Sequence, residues 1–212
     1  MEIRSLRRRL LAWFVRKGRS YPWRRTRDPY SVLVAELMLR RTRADQVLPV
    51  YRRFLAEFPT LKALSSARLR DLRRILSPLG LVWRTQNFVA LSRLARHRGL
   101  HQLPAYDGLL ELPGVGPYVA NAVECFARRK PLPVVDTNVV RVLGRYFGCV
   151  ARGEMRRNRG FIDFAQQCLD RISPREYNWA LLDLGATVCT STRPRCPLCP
   201  LRVGCTYAAS LR

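Results

Sequence analysis

The sequence predicts an all-α protein, and three observations predict it. Apolar residues recur at three- and four-residue spacing along most of the chain, the pattern of helices with one buried face. No alternating apolar–polar run extends beyond a few residues, so strands are not expected. Proline, glycine and serine fall between the periodic segments, where turns belong.

In chain order the periodic segments are 30–42, 44–57, 68–77, 84–97, 117–129, 137–147, 158–172 and 175–188. Pro59-Thr60 closes the second, Pro78 the third, and Pro104 follows the fourth. Pro113-Gly114 precedes the fifth segment, Pro131-Leu132-Pro133 separates the fifth from the sixth, and Ser173-Pro174 opens the last. The chain shows no internal repeat and no low-complexity linker.

At 212 residues, 48% of them apolar, the chain is long enough to bury one large core or two small ones. No run of 18 apolar residues exists, and the N-terminal MEIRSLRRRLLAWFVRKGRS lacks the apolar stretch and cleavage site of an export signal. A cytoplasmic protein without a membrane anchor is expected. Three of its seven cysteines, Cys125, Cys149 and Cys168, lie in apolar segments and are expected to be buried, reduced thiols.

The other four cysteines, Cys189, Cys196, Cys199 and Cys205, form a C-x6-C-x2-C-x5-C run. Short intervening loops let four thiolates converge on one inorganic centre at little closure cost. In a reducing compartment this favours metal over disulfides. A [4Fe–4S] cluster is the expected cofactor. Tetrahedral zinc is the alternative, against which the six-residue first gap speaks.

Thirty-nine basic residues against 15 acidic ones leave a net charge of +24. Such a field suits a polyanion, and nucleic acid is the commonest one. Only Lys17, Lys62 and Lys130 are lysines, so part of the arginine excess could reflect codon bias. Even so, arginine forks bind phosphate oxygens well. On charge alone a ribosomal or other scaffold protein remains an alternative.

Leu112-Pro113-Gly114-Val115-Gly116 sits between two helical segments and reads as a tight hairpin. Its glycines permit positive φ and close approach of a phosphate, to which amides near Pro117 and Tyr118 could donate. Twenty residues past Gly116, Asp136 follows an apolar run and opens a helix. Alone, it reads equally as a helix N-cap.

Hairpin, aspartate and four-cysteine tail together resemble the helix-hairpin-helix DNA glycosylases of the endonuclease III superfamily, from Pro22-Trp23 to Cys205. The resemblance implies two helical domains with a DNA cleft between them. A six-helix barrel would span 28–134 and hold the hairpin motif at about 107–128. Residues 1–27 and 135–212 would form the iron–sulfur domain, with the cluster loop at 189–205. It further implies that Asp136 stabilises positive charge at the sugar and directs the nucleophile. Double-stranded DNA carrying a mismatched or damaged base would be the partner, and a monomer is expected. The hairpin residues Leu112, Gly114, Val115 and Gly116 would contact DNA, while Arg193, Arg195 and Arg202 would form a basic loop on its backbone.

Bifunctional members carry a lysine where this chain has Tyr118, so hydrolysis with little or no strand nicking is implied. Ala35-Glu36-Leu37-Met38-Leu39-Arg40-Arg41-Thr42 resembles the branch of adenine and thymine/uracil mismatch glycosylases. Both keep a glutamate at Glu36, which in adenine enzymes acts as acid on the departing purine. Its apolar neighbours favour that role over a solvent-facing charge. Tyr118, the Leu39-Arg40-Arg41-Thr42 run and the end of the sequence at Arg212 point to the G:T and G:U mismatch enzymes. Arg41 and Leu81 match the positions where members insert side chains into the vacated stack. Adenine removal opposite guanine or oxidised guanine is the alternative activity. A DNA-binding cluster protein without catalysis is the non-enzymatic one.

Overall fold

The structure is a computed structural model describing residues 2–80, 82–149 and 154–211, with the Val82 side chain also outside the description. All regular elements among these residues are helical. In chain order they are α1 (Glu2–Lys17), α2 (Pro22–Arg25), α3 (Pro29–Leu39), α4 (Ala44–Glu57), α5 (Leu61–Ser65), α6 (Leu69–Leu76) and α7 (Val82–His97). There follow α8 (Tyr106–Leu110), α9 (Pro117–Phe126), α10 (Thr137–Phe147), α11 (Arg159–Cys168), α12 (Pro174–Thr187) and α13 (Thr206–Ala209). None of the described helices is long and apolar enough to cross a membrane.

The chain divides into two compact units, Tyr21–Arg128 and Met1–Ser20 with Arg129–Arg212. In the first, Asp28 caps α3 by accepting from the Tyr30 and Ser31 amides at 3.2 and 2.9 Å, and Pro29 occupies the first helical position. Every residue from Tyr30 to Met38 is buried, as expected of a helix apolar all round. It packs on α4 and α9, and α5 packs on α7. The segment expected at 30–42 ends early, at Leu39, because Arg40 is already extended, with ψ 114°, and Arg41 then adopts the left-handed φ of +58°. A second left-handed residue, Arg129 at +59°, lies just beyond the shortened α9.

The other unit is organised around α10 and α12, with α1 packed on α12 and α13 on α10. Helix α1 was not among the periodic segments. Leu6, Leu10 and Trp13 nevertheless fall on one face and join the core of Val139, Leu143, Tyr177, Leu181 and Leu184. Asp183 of α12, fully buried, accepts from the Arg19 amide at 2.8 Å and from its guanidinium at 2.7 Å. Helix α11 stops at Cys168 rather than continuing to 172, since Asp170 accepts from the Ile172 and Ser173 amides and turns the chain. Cys125 and Cys168 are buried as expected, but Cys149 is exposed. It follows Gly148, whose left-handed conformation ends α10.

Candidate functional site

Glu36, Tyr118, Arg41 and the hairpin belong to the Tyr21–Arg128 unit. Glu36 is only 4% exposed, in the interior of α3, which removes the reading of a solvent-facing charge. Tyr118 is half-buried in the first turn of α9, the helix that packs against α3. Arg41 is exposed, just beyond the end of α3. Leu81 lies outside the described residues.

The hairpin joins α8 to α9. Leu112 and Val115 are buried, and the Val115 amide donates to the Leu112 carbonyl at 3.0 Å. Gly114 has φ +79°, and a Cβ there would stand 2.6 Å from the Asn87 amide nitrogen of α7. Both conformation and packing therefore require glycine. Gly116 differs from the expectation of positive φ: at −111° it is extended, and a Cβ there would meet nothing within 4 Å among the described residues. Among those residues nothing asks for glycine at 116. Close approach of an outside group at the open N-terminus of α9 would.

Asp136 and the four cysteines belong to the other unit. Asp136 is the N-cap of α10, with Oδ1 accepting from the Val139 amide at 2.8 Å and Oδ2 from the Asn138 side-chain amide at 2.7 Å. The capping role coexists with enclosure: burial raises the carboxyl above its ordinary value, opposed by these hydrogen bonds and by Arg141. Arg141 donates to the Asn138 side-chain oxygen and to the carbonyls of Gly185 and Cys189, each at 2.7 Å. A continuous set of hydrogen bonds thus runs from the first cysteine's backbone to the Asp136 carboxylate. Asn138 and Arg141 were not legible from sequence, because the Gly185 and Cys189 carbonyls that orient Arg141 are brought to it only by folding.

Cys189, Cys196, Cys199 and Cys205 line one cavity together with Leu184, Val188 and Leu201. Arg145 braces the loop, donating to the Thr190 and Ser191 carbonyls at 2.7 and 2.8 Å and to the Cys189 sulfur at 3.5 Å. Burial, with the neighbouring cysteines, pushes the Cys199 thiol up to about 11, and burial also raises Cys205. Among the described residues no three histidine, cysteine or acidic groups close around a single metal ion. Arg193, Arg195 and Arg202 are exposed on this loop.

The family described as "HhH-GPD superfamily base excision DNA repair protein" matches residues 34–161. A thymine-DNA glycosylase from Aeropyrum pernix is 37% identical over 97% of this chain and 95% of its own length. An adenine DNA glycosylase from Mycobacterium tuberculosis is 38% identical over 91% of this chain, which spans 64% of that protein. The solved structure of a thermostable thymine-DNA glycosylase superposes with a TM-score of 0.88 at 29% identity, covering 99% of this chain and 97% of the other. The chain belongs to the HhH-GPD superfamily of base excision DNA repair proteins.

Proposed function

We propose that the protein is a monofunctional DNA N-glycosylase that binds duplex DNA, extrudes thymine or uracil from G:T and G:U mismatches and hydrolyses its N-glycosidic bond. The observation that carries this reading is a held, enclosed carboxylate at Asp136 in a chain with tyrosine, not an amine, at position 118. Relatives named as thymine or thymine/uracil glycosylases, from Aeropyrum pernix and Pyrobaculum aerophilum, are both 37% identical to it.

As the C1′–N bond breaks, its electron pair leaves with the base and positive charge grows at C1′. The Asp136 carboxylate stabilises that charge and accepts a proton from the water that adds to C1′. The products are the free base and an abasic strand, with no covalent enzyme intermediate. Tyr118 contacts the extruded pyrimidine, Glu36 serves the departing base, and Arg41 fills the vacated stack. Leu112, Gly114, Val115 and Gly116 present the hairpin amides to a backbone phosphate.

For the four cysteines the proposed cofactor is a [4Fe–4S] cluster: they line one cavity, and the six-residue gap from Cys189 to Cys196 departs from the spacing of two to four usual at zinc sites. When bound, the cluster would cross-link the 189–205 loop, and Arg193, Arg195 and Arg202 on that loop would meet phosphates.

Buried Glu36 also favours a second reading, adenine removal, for which a carboxyl acid on the purine is needed. Asp136→Asn tests the catalytic assignment, because asparagine caps helices as well as aspartate does. Base release is expected to fall by at least about a thousandfold, with duplex affinity kept. Release at the wild-type rate would refute the role of Asp136.

A further inference from the structure

Arg84, on α7, is one of the largest fully buried side chains in the protein, at 1% exposure. Among the described residues no carboxylate pairs with it. Its acceptors are the Leu79 carbonyl at 3.0 Å, the Arg40 carbonyl at 2.6 Å and the Thr42 hydroxyl at 2.7 Å. Among the described residues the remaining Nε has no hydrogen-bond partner, and burial, then the nearby Arg40 charge, lowers the pKa of the group. A buried cation without a counter-charge is costly, and an apolar residue of similar volume would generally serve packing better. The function of this guanidinium is therefore sought in what it grips.

It grips both neighbours of Arg41 at once. Arg41 is exposed and holds a left-handed backbone that arginine rarely adopts. Such a conformation persists when the surroundings fix it from both sides. Arg40 is anchored further: its guanidinium stacks 4.8 Å over the Trp83 ring and donates to the Gly114 carbonyl of the hairpin at 3.0 Å. Both arginines are exposed, but Arg40 is tied to the hairpin through its guanidinium.

We propose that Arg84 is a positioning residue that holds the Arg40–Thr42 turn so that Arg41 is presented, preformed, for insertion into duplex DNA. This rests on the reading of Arg41 as the inserted side chain. Preforming the turn removes an ordering cost that would otherwise fall on the extrusion step. Arg84 touches neither base nor sugar in this scheme; it acts through Arg41.

A double-mutant cycle separates this from a role in stability alone. Single-turnover release of uracil from a G:U duplex is measured for Arg84→Lys and Thr42→Val, each alone and with Arg41→Ala. Arg84→Lys is expected to slow release about tenfold in the wild-type background and less than about twofold with Arg41→Ala. Thr42→Val, which removes one acceptor, is expected to behave likewise with a smaller loss, and carries the test should Arg84→Lys not fold. Equal losses in both backgrounds would overturn the proposal, as would an Arg41→Ala variant as fast as wild type. Either result, with release still dependent on Asp136, would leave the glycosylase reading intact. Absence of uracil release by the wild-type protein would instead overturn that reading and this inference with it.

Discussion

Burial lifts the Asp136 carboxyl above its ordinary value of 3.8, against the hydrogen bonds of Val139 and Asn138 and the charge of Arg141. The folded protein therefore holds this proton more tightly than the unfolded chain. Stability is lost as pH rises through the folded-state pKa, and that loss is absent below the unfolded value. Asparagine cannot ionise, so Asp136→Asn is expected to melt a few degrees above wild type at neutral pH. The difference should vanish in acid, which calorimetry at the two pH values checks. The same shift puts the acid limb of single-turnover base release above the ordinary aspartate range, since the reaction needs the carboxylate. Glu36 was legible as a buried residue because Val34, Leu37, Met38 and Leu39 flank it. Arg84 was not: an arginine on a helix reads as solvated, and the carbonyls that receive it are set by the turns around Leu79 and Arg40.

Among the elements, α4 and α10 were read to the residue, because an amphipathic period and turn-forming neighbours coincide at their ends. Helix α3 was read too long, since periodicity carries no information about the handedness of residue 41. The period of Leu6, Leu10 and Trp13 in α1 was present but lay among arginines. The hairpin was recognised, yet its two glycines do different things, and substitution separates them. Gly114→Ala is expected to lower the melting temperature by several degrees, from strained backbone and the clash with Asn87. Gly116→Ala is expected to leave melting unchanged and to weaken duplex binding several-fold, as a new methyl group meets the phosphate. Thermal melts beside fluorescence anisotropy of labelled duplexes distinguish the two. Arg141 ties the Cys189 backbone to Asn138 beside Asp136. On the proposed [4Fe–4S] assignment, Arg141→Gln is expected to lower iron content and base release together, by about tenfold in rate. Iron analysis and single-turnover kinetics on the same preparation check this.

For the molecule as a whole, the net charge of +24 makes electrostatics a major source of DNA affinity. Neutralising about six phosphates would make affinity fall roughly a thousandfold between about 50 and 200 mM salt. Asp136→Asn should share that slope, because its change lies in chemistry rather than in phosphate contacts. A flat salt response would show that the arginine excess does not serve DNA binding. Which base is removed, and whether the strand is then cut, separates the proposed activity from its alternatives. Labelled duplexes carrying a central G:T, G:U, G:A or oxidised-guanine:A pair are incubated with the full chain as isolated, and each reaction is divided, one half treated with alkali. A monofunctional G:T and G:U glycosylase breaks the thymine or uracil strand only after alkali. Breakage without alkali, or breakage confined to the adenine strand, would rule that activity out.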